Sequence, residues 1–358
     1  PFTLHFYASD AADPSGYGEG RFYIGQVNVT TDASGNTPVS FAASVTVPAG
    51  FRQVTGIAED LTGFGTSEFS QSFLVGRTFT VNSIADLPDA NIGDGIADAG
   101  GGVVTLRAAI QEANAGLGRD TIDFNIGGGG LRTINPLTAL PTITDAIIID
   151  GYTQPGASAN TLAVGSNATL LIELNGTGVF GDGLTITAGN SLIKGLIINR
   201  FSGFGNGILL SLNGNNVIQG NWLGLDNTGA GASLNNGSGV YVDAPGNLIG
   251  GTTPAARNAA LSGSSGNAAI TIPGGTGTGN TIQGNYIGTN VQGTAGIGTG
   301  GIRVITANNV IGGTVAGAGN VVSGNNGIFV GDNVFGDTPN GNVIQGNSVG
   351  LSADGTTA

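Results

Sequence analysis

Four oxygen-bearing side chains crowd one short stretch: Asp89, Asn91, Asp94 and Asp98, with Gly93 and Gly95 between them. Oxygen ligands on a glycine-bent loop suit Ca²⁺, which takes six to eight oxygens. The spacing is not that of a helix–loop–helix calcium site, and the bidentate glutamate that closes such a site is missing. A solvated acidic loop is the other reading of the same residues. A second pattern places Trp222 and Tyr286 at one position of a repeated segment, where the third copy has Ser348. An aromatic row can bind sugar rings by stacking; packing under a loop is the alternative, and the lost ring in the third copy favours it.

Catalytic chemistry finds few residues to work with. There is no cysteine, which removes disulfides, thiol catalysis and cysteine metal sites together. The single histidine, His5, lies in a strand-like stretch and reads as an exposed strand residue. Hydrolysis of an acidic polysaccharide needs paired carboxylates facing one cleft. The acids of the later chain, Asp182, Asp226, Asp243, Asp332, Asp337 and Asp354, form no adjacent pair. A lyase needs a base near calcium-binding carboxylates, and Lys194, Arg200, Arg257 and Arg303 have no acidic cluster beside them in sequence. The expectation is a protein that is not an enzyme.

Composition narrows the class further. Of 358 residues 68 are glycine, only 9% are charged, and the net charge is −13. An acidic chain of this kind is not built for nucleic acid or an anionic membrane surface. No apolar run is long enough to span a bilayer. The absence of methionine predicts a processed product or one piece of a longer polypeptide.

Repeats must position whatever function there is. Asn216-Val-Ile-Gln-Gly-Asn-Trp-Leu-Gly224 recurs at Asn280–Gly288 and Asn342–Gly350. Asn247-Leu-Ile-Gly-Gly251 recurs at Asn309–Gly313. Offsets of 62 to 64 residues mark a solenoid. A finer series runs through Ile147, Leu171, Ile193, Val217, Val240, Ala259, Thr281, Ile302, Val321 and Val343. Its mean step, about 22 residues, predicts three coils per large repeat and ten coils in all. Glycine and asparagine supply the corners, and Asn216, Asn280 and Asn342 are candidates for a side-chain amide ladder. Leu225–Ala230 and Thr289–Thr294 correspond as longer loops on one side.

Residues 1–75 read differently. Strands are expected at Phe2–Tyr7, Arg21–Thr30, Val39–Val47 and Gln53–Glu59, with turns at Asp32–Asn36, Pro48–Gly50 and Leu61–Gly65. The glycines at 16, 18 and 20 have no following helix and read as a turn. Thr78–Ser83 is a short strand, Asp86–Gly102 a loop, and Thr105–Asn114 a helix closed by Gly116 that could cover the open end of a β-stack.

Phe6-Tyr7-Ala8-Ser9, Gly16–Gly20, Thr31–Gly35 and Thr66–Ser70 resemble the later part of bacterial immunoglobulin-like modules of repetitive surface proteins. One or two early strands of such a module would precede Phe2. Thr105–Asn114 followed by Asp120–Phe124, with Leu140–Ile143 and Ile149–Gly156, resembles the opening segment of bacterial right-handed parallel β-helix surface proteins. Ala108 stands where that motif has glutamate, and the preceding cysteine is absent.

The expected fold is therefore all-β: an incomplete immunoglobulin-like sandwich over 1–75, then a right-handed parallel β-helix over 76–358 with an opening and cap segment at 76–130. The resemblance implies an extracellular bacterial surface protein, structural or adhesive. Its partners would be copies of itself or adjoining modules, met end to end through the open sandwich and the open β-helix end, with glycans as a further class. No cofactor is required, with Ca²⁺ as an option at Asp89, Asn91, Asp94 and Asp98. The alternative is a secreted carbohydrate-binding or polysaccharide-degrading protein, with Trp222 and Tyr286 as ligand contacts.

Overall fold

The computed structural model describes residues 1–18, 20–31, 47, 51–62, 65–263, 268–324, 327–331 and 339–356. The expected turns at 32–36 and 48–50, nearly all of the expected strand 39–47, the middle of the 61–65 turn, and Asp332 and Asp337 lie outside these residues. The chain divides into two units, Pro1–Gly76 and Arg77–Ala358. The described residues are mostly β with one α-helix.

The first unit is an antiparallel sheet of β1 (Phe2–Ser9), β2 (Phe22–Val29), β3 (Gln53–Asp60) and β4 (Phe73–Leu74), in the order β2-β1-β3-β4. β1 is the central strand, paired antiparallel with β2 and β3 on its two sides. His5 is not the exposed residue expected. Its side chain is 18% exposed and its Nε2 lies 2.9 Å from Glu59 Oε2 on β3. Gly16 closes a turn, with φ 79° and its N–H donating to Asp13 O, while Glu19 of the glycine run lies outside the described residues.

In the second unit, β5 (Thr78–Val81) starts a parallel sheet of nine strands, continued by β6 (Asp120–Phe124) and then Ile147–Asp150. Between β5 and β6 lies α1 (Leu106–Ala115). Thr105 caps it, its side chain accepting the Ala108 N–H at 3.0 Å, and the Gly116 N–H closes it on Glu112 O. Leu106, Ala109, Ile110 and Ala113 form one buried face and join a single core with Phe79, Val81, Ile122 and Phe124. Since β5 is the end strand of its sheet, α1 covers the interior of the first coil, as the amphipathic stripe predicted.

From Ile147 onward the chain visits three parallel sheets in turn, of nine, eight and six strands among the described residues. Within the nine-strand sheet, Val217, Leu248, Thr281, Val310 and Val343 stack in register, so successive coils are 31, 33, 29 and 33 residues apart. This corrects the 22-residue coil. Each 62–64-residue repeat holds two coils, not three. The finer series mixed faces: Thr281 and Val343 belong to the nine-strand sheet, Ala259 and Val321 to the eight-strand sheet, Val240 and Ile302 to the six-strand sheet. Short β-branched runs on three faces look alike in sequence, so counting strands overcounts coils. Nine strands span eight spacings of roughly 4.8 Å, about 38 Å.

The interior is an isoleucine stack. Ile122, Ile149, Ile193, Ile218, Ile249, Ile282 and Ile311 occupy one register column and are each fully buried. Full burial of each such side chain contributes about 1.5–3 kcal/mol. The corners are closed by asparagine. Asn216, Asn247, Asn280, Asn309 and Asn342 form one ladder in which each backbone N–H donates to the next side-chain Oδ1 at 2.7–2.9 Å. The three asparagines expected to stack are in it, with Asn247 and Asn309 interleaved. A second ladder runs through Asn221, Asn258, Asn285, Asn320 and Asn347. These bonds satisfy corner groups that would otherwise be buried unpaired. At the corner, Gly284 has φ 67°, and a Cβ there would lie 2.1 Å from Gly251 O. No larger residue fits.

Candidate functional site

The acidic loop is held from behind by α1. The buried Glu112 carboxylate accepts the N–H groups of Gly93 (2.5 Å) and Gly95, and Arg77 Nη1 lies 3.7 Å away. Each predicted cation ligand already serves the loop's own turns. Asp89 Oδ1 accepts the Asn91 N–H, Asp94 Oδ1 that of Ile96, and Asp98 Oδ1 those of Gly100 and Gly102. Asn91 and Asp94 meet through their side chains at 2.9 Å. Asp89 is buried, and its Oδ2 has no hydrogen-bond partner among the described residues. Among the described residues, no three acidic or histidine side chains converge as a cation site.

Trp222 and Tyr286 stand in one outward column of the eight-strand sheet, Trp222–Ala259–Tyr286–Val321–Ser348. Both are under loops, at 7% and 4% exposure. Val291 and Leu225, from the two corresponding loops, join them in an apolar cluster. Gly165 N–H donates to the Tyr286 hydroxyl, and the Arg257 guanidinium lies 4.3 Å from the Tyr286 ring centre. Arg257 is in turn bound to the carbonyls of Leu162, Ala163 and Gly165, and burial lowers its pKa. These rings pack; they do not offer a sugar-facing surface. The loops themselves stack, with Val291 N–H on Gly229 O and Ala353 N–H on Gly293 O.

The coils bring together charges that the sequence keeps apart. Asp123, Asp150 and Lys194 sit side by side on three adjacent strands of the nine-strand sheet. Lys194 Nζ lies 2.7 Å from Asp150 Oδ2. Burial, then the neighbouring Asp150 charge, raises the Asp123 pKa, while Lys194 opposes this. Arg200 Nη1 likewise lies 3.2 Å from the buried Glu173. Along the sequence these bases have no acidic cluster beside them, whereas in the fold Lys194 stands beside Asp150 and Asp123. Glu112, Asp123, Asp150 and Glu173 were missed because their partners are 27 to 44 residues distant, off the 62-residue repeat. The only signal was Lys194, the one lysine of the chain.

The last coil presents the remaining candidate. Ile344 continues the isoleucine column but is 47% exposed, against 0% for Ile311 one coil earlier. Val343 and Val349 are exposed beside it. No protein-family model matches the chain, and no curated protein or solved structure matches it. Among the described residues, no helix is long and apolar enough to cross a membrane.

Proposed function

We propose that this chain is a non-catalytic structural or adhesive unit of a bacterial surface, a right-handed parallel β-helix preceded by an incomplete immunoglobulin-like module. On this reading it works by extension, end to end, within a long surface protein or a filament. What supports the reading is the run of coils in register, each held by its neighbours through the isoleucine column and the corner ladders. The polar side chains of the corners support it too, because their amides are spent on coil-to-coil bonds. Electron microscopy of the natural material tests it. Continuous rods, or rods joined in tandem, are expected; uniform isolated monomers contradict it.

A second reading, a secreted carbohydrate-binding or polysaccharide-degrading protein, rests on the Asp123–Asp150–Lys194 row. A glycan array together with a lyase assay on acidic polysaccharides separates the two. The structural or adhesive reading expects no product.

A further inference from the structure

One corner of the stack, the one that leads into the six-strand sheet, keeps large apolar side chains in water. Phe180-Gly-Asp-Gly183 recurs as Phe204-Gly-Asn-Gly207, 24 residues later. The strands that follow pair Leu184 with Ile208, so the two segments hold one register position on adjacent coils. The coil before places Leu137 there, through the Ile143–Ile186 bridge. The coil after places Asn236 there, through the Ile208–Val240 pair.

The polar residues of this corner bond from coil to coil. Asn206 donates to Asp182 Oδ1 through both its N–H and its Nδ2 (2.8 Å each), and Ser238 N–H donates to Asn206 Oδ1 (2.8 Å). The coils approach too closely here for side chains on the glycines. A Cβ at Gly205 would lie 2.1 Å from Gly181 O, and one at Gly183 2.5 Å from Gly207 O. The Phe180 ring rests against Gly203 of the next coil, where a Cβ would come within 3.2 Å of its Cδ1.

Packing at this corner is done by Phe201, which is 1% exposed. Leu137, Phe180 and Phe204 are 79%, 80% and 93% exposed. A side chain left in water contributes almost nothing to the core. The fold therefore does not account for this row, and aligned exposed apolar groups mark a contact surface.

The chemistry of the row points to its occupant. Three such side chains offer roughly 600 Å² at most, under the about 800 Å² per partner of a stable protein interface. Arg200 is the one base in these corner segments, and its guanidinium is held by Glu173 Oε1 (3.2 Å) and Ser233 Oγ (3.0 Å). A polyanion or an anionic lipid surface would find no free cation there. A ring face with a hydrogen-bond acceptor beside it suits the C–H face and hydroxyls of a sugar. Asp182 is half-buried, and its Oδ2 has one long contact, 3.4 Å from Thr185 Oγ1, which leaves room for a further donor. Coils repeat at roughly 4.8 Å, close to the length of one sugar unit in an extended chain. We infer that Leu137, Phe180 and Phe204, with Asp182, form a docking row for an uncharged, extended polysaccharide. The inference rests on the adhesive form of the proposed function and names its partner class.

The test is affinity electrophoresis of the full chain in gels containing hydroxyethylcellulose, galactomannan or polygalacturonate. It is repeated with Phe180→Ala, Phe204→Ala and the double variant. Both rings lie outside the core, so the variants are expected to unfold at the temperature of the parent chain. Retardation by at least one of the two neutral polymers is expected, and none by polygalacturonate. Each single substitution is expected to weaken binding about tenfold, and the double variant to lose it. Leu212→Ala, which removes an exposed leucine at another corner, is expected to change nothing. No retardation by either neutral polymer overturns the inference. So does retardation that the double variant keeps, or retardation by polygalacturonate alone. Self-association in sedimentation that the double variant loses assigns the row to a second copy and also overturns it. The two failures are distinguishable, since end-to-end extension is read by electron microscopy and this row by polysaccharide binding.

Discussion

The same six residues, Asn-Val-Ile-Gln-Gly-Asn, occur at 216–221 and at 342–347. Both copies bond to the coil before them through the same ladder positions. Among the described residues, only the first meets a coil on its other side. In the first copy Ile218 is fully buried; in the second Ile344 is 47% exposed. Identical local sequence thus gives the same strand and corner in both places, while burial depends on the neighbour. In a coil stack, stability resides in the contacts between coils.

That contrast can be broken most strongly in the core. Ile218→Ala is expected to cost about 4 kcal/mol, because a methylene-rich side chain leaves a cavity between two coils. Ile344→Ala is expected to cost about 1 kcal/mol, since half of the side chain is already in water. Urea unfolding of the two variants checks the difference. Equal losses would mean that the interior position gains nothing from its second neighbour.

The ladder gives the next effect. Asn221 Oδ1 accepts the Leu196 N–H, and its Nδ2 donates to Ile193 O and Asn258 Oδ1. Asn221→Ala strands these buried groups and is expected to cost about 3 kcal/mol. Asn347→Ala is expected to cost about 1 kcal/mol, because water reaches that corner. The same unfolding measurement reads both.

The charged row sharpens the picture through pH. A carboxyl whose folded pKa is raised contributes its full share below its ordinary pKa, 3.8, and loses it as pH rises through the folded value. Asp123→Asn is therefore expected to raise stability at pH 7, by less than about 1 kcal/mol, and to change nothing at pH 3. Lys194→Ala is expected to lower stability at pH 7 by a similar small amount, the loss fading in acid. Thermal unfolding at the two pH values reads the sign.

The smallest effect is in the outer loop of the last coil. Hydrogen bonds from the Ser352 side chain, then from Thr356, hold the Asp354 carboxyl down at about 2. Its contribution is present above 3.8 and is lost as pH falls through that lower value. A carbon-detected titration of Asp354 should give a midpoint near 2; an ordinary midpoint would mean that the loop is not closed by this carboxylate.

Much of the architecture was legible before any coordinates. Both asparagine motifs, their 62-residue recurrence, the helix and its closing glycine, and the paired outer loops were all visible as residue patterns. The coil length was not, because strands on three faces share one alternation. Interleaving Asn216, Asn247, Asn280, Asn309 and Asn342 would have given it, since each coil turns the same corner once. The aromatic pair was readable as a repeat position packed under a loop, but not the part played by loop 157–169, which reaches Tyr286 from more than a hundred residues away. The Asp123–Asp150–Lys194 row was hidden for a similar reason: only stacking makes neighbours of residues on separate coils.

Gly220 and Gly346 provide the most direct test, because each follows Gln in the same hexapeptide and has the same following residue. Their intrinsic exchange rates are therefore equal. Gly220 N–H donates to Ala256 O of the next coil at 3.2 Å, and Gly346 N–H has no such acceptor among the described residues. Native-state hydrogen exchange on residues 1–358 should find Gly220 protected and Gly346 close to its free rate. Equal protection at the two glycines would contradict the account of a stack held by its neighbours.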